Sequence, residues 1–268
     1  MWSFEHEPDR TRLSERYSIQ QDTPAECAAK LAAGSADIGL IPVAAYASTP
    51  SLAVIPGCTI ASQDQVRSIL LVVRHPDGLD GVRKVALDTA SRTSATYTKI
   101  LFSRLWKGDP EFVPHAPDLE PMLRAADAAL LIGDPALIAL EERAERERRT
   151  GERLLYLDLA EEWHRWTGTV WVSAFWGVRP EAVKQSGIAA GQVVEDFLHS
   201  RDAGMAHIED IAVEWSSRIA VPRETIQTYL TENIWYVLDQ PCLDGLELFY
   251  RYGVECGALP TIPPLRFL

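Results

Sequence analysis

Apolar positions recur along the chain with two different periods. Short apolar runs at Ala36–Ile41, Ile69–Val73, Val82–Leu87, Ala128–Ile132, Leu154–Leu157 and Val170–Phe175 read as buried strands. Helical signals fall between them. Thr23-Pro24-Ala25-Glu26 supplies a cap, a proline for the first helical position and a glutamate for a capping box, and Gly34 supplies the stop. From Thr93 onward, Tyr97, Ile100, Leu101 and Leu105 repeat at helical spacing. Further helices are predicted over Leu119–Ala126, from Pro135 to about Arg149, and over Glu161–Trp166. After Pro180 the strand runs cease, and residues 181–199, 203–218, 222–238 and 241–255 read as successive amphipathic helices.

Strands alternating with helices predict an α/β fold with parallel-rich sheets and helices on both faces. Ile69–Val73 and Val170–Phe175 bracket a compact segment and are expected to act as crossovers. Residues 70–175 would then form an inserted lobe, and residues 1–69 with 176–268 the other. A ligand would sit between the lobes, outside the carboxyl ends of strands.

With 47% apolar and 24% charged residues, the chain is not a disordered one. Its net charge of −12 opposes a nucleic-acid or anionic-membrane partner, yet leaves room for a small anion bound by local dipoles. No run approaches the length of a spanning helix. The N-terminus is neither basic nor apolar, so no secretory signal is read and the cytoplasm is the expected location. Cys27, Cys58, Cys242 and Cys256 lack C-x-x-C spacing and are expected to be reduced thiols, with no zinc site. The charged run Glu141–Arg149 reads as a solvated helix face.

Phosphate-loop, dinucleotide, nucleophile-elbow and zinc-protease motifs are all missing. The histidines are dispersed: His75 precedes Pro76 in a predicted turn, His115 stands between prolines, and His199 and His207 fall on predicted helices. Trp163, Trp166, Trp171 and Trp176 read as core and lobe-interface packing. The positive signal is Asp88-Thr89-Ala90-Ser91-Arg92-Thr93-Ser94, a strand running through a hydroxyl-rich turn into a helix. Free N–H groups and the positive end of the dipole lie there, so Ser91, Arg92, Thr93 and Ser94 are candidates to hold a carboxylate or phosphate. Plain N-capping is the alternative. Gly133 and Asp134 form a second strand-to-helix turn, where glycine admits a ligand to the backbone unless Asp134 simply caps the helix. Ser62 and Ser68 flank a polar segment before Ile69 that otherwise reads as loop.

Taken together, Gly34–Tyr46, Ile60-Ala-Ser62 with Val66-Arg-Ser68, Leu87–Ser94, Ala128–Leu137 and Glu162-Trp163 through Thr167-Gly168 resemble the MqnA family. These are chorismate dehydratases of the futalosine route to menaquinone. The resemblance implies a two-lobe fold like that of type II periplasmic binding proteins, with a helical C-terminal segment. It also implies a cytoplasmic lyase that converts chorismate to 3-[(1-carboxyvinyl)oxy]benzoate and water, with no metal or organic cofactor. Ser62, Ser68, Ser91, Arg92, Thr93, Ser94, Gly133 and Asp134 would then contact a substrate bearing two carboxylates. Family members usually begin with a strand ending in a Tyr-Leu-Asn-like motif whose asparagine faces the active site, shortly before a segment like Trp2-Ser-Phe-Glu. An upstream strand carrying that asparagine is expected, and no catalytic residue is assigned. A solute-binding protein for a small carboxylate and the related naphthoate synthase of the same pathway are the alternatives.

Overall fold

The computed structural model of the chain describes residues 1–74 and 78–268, so the turn read at His75-Pro76 lies outside the described residues. Two short helices, α1 (Trp2–Glu5) and α2 (Asp9–Ser14), precede α3 (Pro24–Ala33). The expected capping box opens α3: Thr23 Oγ1 accepts from Glu26 N, and the Glu26 carboxylate accepts from Thr23 N at 2.9 Å. The chain continues through β1 (Ile38–Pro42), α4 (Val43–Tyr46), β2 (Ala53–Ser62), β3 (Ile69–Val73), β4 (Lys84–Asp88), α5 (Thr93–Arg104) and β5 (Glu111–His115). Next come α6 (Leu119–Ala125), β6 (Ala128–Ile132), α7 (Asp134–Glu141), α8 (Arg143–Thr150), β7 (Leu155–Asp158) and α9 (Leu159–Thr167). After β8 (Trp171–Val178) follow α10 (Pro180–Ser186), α11 (Ala190–Ala206), α12 (Ile208–Ser216), α13 (Arg223–Thr228), a π-helical turn (Tyr229–Asn233) and α14 (Gln240–Glu255).

The strands form a three-stranded sheet, β1-β8-β2, and a five-stranded sheet, β5-β4-β6-β3-β7. The parallel-rich expectation needs correction. β4 pairs parallel with β5 and β6, but β3 is antiparallel to β6 and β7, and β8 is antiparallel to β1 and β2. The reason lies in the path: β3 starts where β4, β6 and β7 end, because the chain enters the second sheet there from the first.

Other departures also have local causes. No strand is predicted over β2, whose end at Ile60–Ser62 falls in the polar segment that reads as loop; Pro56-Gly57 interrupts the strand, Gly57 has φ 75° and the pairing shifts register between Val54 and Thr59, as a bulge requires. β5 contains Pro114, which an edge strand tolerates. The helix expected over 135–149 breaks at Glu142, and the one over 181–199 breaks at Gly187, with φ 75°. The region 222–238 is helical only to Asn233; Trp235 then exchanges N–H···O bonds with Ala61 alongside β2. Within the charged run, Arg146 is buried rather than solvated, paired with Glu120 at 2.8 Å and Glu152 at 2.7 Å.

Every residue of β3 is buried. Where the two sheets meet, Tyr97 stacks on Trp171 with centroids 3.6 Å apart and meets Trp163 edge-on at 4.8 Å. Phe249 of α14 closes this cluster at 4.3 Å from Tyr97. α14 approaches β8 so closely that a Cβ on Gly245 would lie 2.2 Å from the Val170 carbonyl oxygen. Trp163 and Trp171 thus pack as expected, Trp166 stacks on Tyr252, and Trp176 packs on Phe197.

Candidate functional site

Strand direction brings the candidate turns to one end of the five-stranded sheet. β4 and β6 run parallel, while Ile69 lies opposite Ile132 and Leu70 opposite Asp158. Asp88–Ser94, Ile132–Asp134, Asp158 and Val66–Ser68 therefore share that end. In the three-stranded sheet, Pro42 pairs with Ala174 and Ser62 with Trp171, so β1 and β2 end where β8 begins. The two ends face each other: Ala44 N donates to Thr93 Oγ1 at 3.3 Å.

Ser91, Thr93 and Ser94 are buried at this junction and Arg92 is exposed. Arg92 occupies the cap position of α5, and no side chain makes a capping bond. The serine hydroxyls are consequently not spent on the role that competed with anion binding. Gly133 takes the cap position of α7 with φ 62° and is exposed; its N–H donates to Ser68 O at 2.8 Å. Asp134 makes no capping bond, so the capping alternative for it is not what the structure has. Ser68 is buried and lies two strands, about 10 Å, from the Asp88–Ser94 side of the sheet. Ser62 is also buried, but its one hydroxyl hydrogen is shared between Asp64 O and Gln65 O, each 3.0 Å from Oγ, and so braces its own loop.

Two carboxylates organise the junction. Asp158 accepts four backbone N–H bonds: Val66 and Arg67 on Oδ2 at 3.0 and 2.6 Å, Ala160 and Glu161 on Oδ1 at 3.0 and 3.2 Å. One side chain thus caps α9 and holds the 66–67 turn, where Arg67 has the unusual φ of 63°. Burial still pushes the Asp158 pKa up, against the pull of those amides. Asp88 is buried as well, its Oδ1 accepting from Ala90 N at 2.9 Å, and burial raises its pKa. The helical tail adds two groups: Tyr229 Oη donates to Ser68 Oγ at 3.0 Å, and Asn233 Nδ2 donates to Gln65 O at 3.2 Å.

Sequence reasoning placed Asp88 in the turn without giving it a role, and missed Asp158, Tyr229 and Asn233 as members of this junction. Asp158-Leu159-Ala160-Glu161 carried a readable cap signal for α9. Nothing local marks Tyr229 or Asn233, which reach the junction from about 160 residues away in the chain. A cavity of about 340 Å³ lies elsewhere, lined by Trp2, His6, Ile60, Trp176 and Tyr236, and none of the candidate residues borders it. Among the described residues no group of three or more His, Cys, Asp and Glu is gathered as a metal site requires, and no helix is long and apolar enough to cross a membrane.

A family model described as menaquinone biosynthesis matches residues 2–255. The chain belongs to this family, the MqnA family of the sequence resemblance. Its fold is that of the periplasmic binding proteins, two lobes followed by a helical tail. Protein AF1704 from Archaeoglobus fulgidus superimposes with a TM-score of 0.67 at 17% identity, over 96% of this chain and 94% of that one. The periplasmic aliphatic sulphonate binding protein SsuA from Escherichia coli gives 0.64 at 15% identity, over 98% and 90%. The alkanesulfonate-binding protein SsuA from Xanthomonas axonopodis pv. citri bound to MOPS gives 0.59 at 13% identity, over 91% and 84%.

Proposed function

We propose that this menaquinone-biosynthesis protein is a chorismate dehydratase of the futalosine route, a cytoplasmic hydro-lyase that forms 3-[(1-carboxyvinyl)oxy]benzoate and water. The lobes are divided before β3 and before β8, which pair within the five-stranded and the three-stranded sheet respectively, rather than at 70 and 175, and the substrate lies between them. The observation that carries this reading is the turn at Ser91–Ser94, where buried Ser91, Thr93 and Ser94 crown α5 without capping it. Those groups and the first N–H groups of α5 suit a carboxylate, and chorismate has two. Ser68 and the Gly133 turn, on the strands beside, supply the second set of contacts, with Asp134 at their rim. Ser62 acts indirectly, by shaping the loop that ends at Ser68.

In the reaction a base takes the ring proton next to the carbon bearing the hydroxyl. The C–H electron pair becomes a ring double bond, the C–O bond breaks, and hydroxide leaves with a proton as water. The ring becomes aromatic, which supplies the driving force. A substrate carboxylate serves as the base, so the protein's work is to position the ring and keep bulk water out. Sulfonate-binding neighbours support a small anion as the ligand class, and they also favour the second reading, a protein that binds a carboxylate without changing it. Chorismate incubated with the chain and separated by chromatography distinguishes the two: the enolpyruvyl benzoate appears under the first reading and not under the second.

A further inference from the structure

We propose that Tyr229, from the π-helical turn of the tail, is a positioning residue that aims the Ser68 hydroxyl at the bound anion; this rests on the chorismate reading. A hydroxyl has one hydrogen to give. Tyr229 Oη donates to Ser68 Oγ at 3.0 Å, so the serine accepts from the phenol and its own hydrogen stays available for a ligand. The Ser68 backbone is already committed, its N–H to Val66 O and its carbonyl to Gly133 N, each at 2.8 Å. Rotation of the side chain is the one freedom left, and Tyr229 removes it. A donor upstream also polarises the serine O–H and makes it a better donor in its turn.

The tail is built to hold this contact. Asn233 Nδ2 grips Gln65 O, the carbonyl that Ser62 Oγ also grips, while Trp235 and Ala61 exchange two backbone bonds. On the other side Val221 and Ile226 pack on Leu137 of α7, with Tyr229 and Leu230 against the same cluster. The phenol is therefore clamped between the crossover loop and the second lobe. Burial, with Asp134 and Asp158 nearby, raises its pKa and keeps it protonated. π-Helical turns inside tails of α-helix are uncommon, and they concentrate at functional positions.

The test is a double-mutant cycle on affinity for the product 3-[(1-carboxyvinyl)oxy]benzoate, which keeps both carboxylates and is not consumed, measured by calorimetry with Tyr229→Phe, Ser68→Ala and the double variant. Tyr229→Phe keeps the ring and its packing, so the melting temperature stays within a few degrees of wild type. Its Kd for the product rises about 3- to 10-fold, as expected for one neutral hydrogen bond. Ser68→Ala weakens binding about 10- to 100-fold, and adding Tyr229→Phe to it changes nothing further, because the phenol acts only through Ser68. Wild-type affinity in Tyr229→Phe, or a full multiplication of the two single effects, overturns the proposal. A wild-type chain that binds chorismate without consuming it overturns the catalytic reading alone and leaves the cycle to decide the role of Tyr229. A chain that does not bind chorismate overturns both.

Discussion

Replacing Asp158 by alanine separates a simple helix cap from a clamp on the site. The carboxylate satisfies Ala160 and Glu161 at the start of α9, and Val66 and Arg67 in the crossover loop. Loss of the cap costs about 1 kcal/mol. Val66 is buried, so its orphaned N–H adds about 1–3 kcal/mol, whereas Arg67 is half-exposed and water can take its amide. The sum, about 2–4 kcal/mol, corresponds to a melting temperature lower by roughly 5–12 °C in a chain of this size. Thr23→Ala is the comparator, since Thr23 caps α3 at the surface and holds no other segment; about 1 kcal/mol is expected there. Thermal and urea unfolding of both variants give the two costs. Asp158→Ala should also weaken anion binding, because Ser68 follows directly on the freed turn. If Asp158→Ala proves no more costly than Thr23→Ala and leaves ligand affinity intact, the clamp does not exist.

Ser91→Ala with Ser94→Ala should weaken chorismate binding at least about 10-fold, with little change in melting temperature since neither hydroxyl caps α5; unchanged affinity would remove the anion site from this turn. Asp88→Asn retains an acceptor for Ala90 N and removes a buried charge. Because burial raises the folded pKa above the ordinary 3.8, wild-type stability declines as pH rises from about 4 through that raised value. The asparagine variant should therefore melt higher than wild type at pH 7 and lose that advantage near pH 4, and a gain independent of pH would contradict the assignment. Gly245→Ala drives a Cβ to 2.2 Å from the Val170 carbonyl oxygen, backbone against backbone, and should cost about 3 kcal/mol; Gly191→Ala, with open space at its Cβ, should be neutral or slightly stabilising in denaturant titrations.

What could be read from the sequence follows the range of the forces involved. Local signals were legible: the capping box at Thr23, the fully apolar β3, and the hydroxyl turn before α5 all declare themselves within a few residues. Strand direction was not, because an apolar run such as Ile69–Val73 looks alike whether it enters or leaves an interface. Interrupted elements were also obscured: Pro56-Gly57 hides the bulge of β2, and Pro114 hides β5 at a sheet edge. The candidate site divides along the same line. Ser91, Thr93, Ser94, Ser68 and Gly133 sit in turns whose residue types betray them, and the alternation pattern places such turns at strand ends. Asp158 and Tyr229 act by long-range hydrogen bonds, which leave no periodic trace. Ser62 shows the converse, a residue of suitable chemistry whose hydroxyl is committed to its own loop.

Proton magnetic resonance of chorismate mixed with the purified chain tests the central claim most directly. Under the dehydratase reading, the signals of the two saturated ring carbons of chorismate decay together. New aromatic signals of the enolpyruvyl benzoate grow at the same rate, while the enolpyruvyl protons persist. The rate scales with protein concentration and drops sharply in the Ser91→Ala, Ser94→Ala variant. A chorismate spectrum that decays no faster with the chain than in buffer alone contradicts the activity, and an equal rate in wild type and double variant contradicts the site.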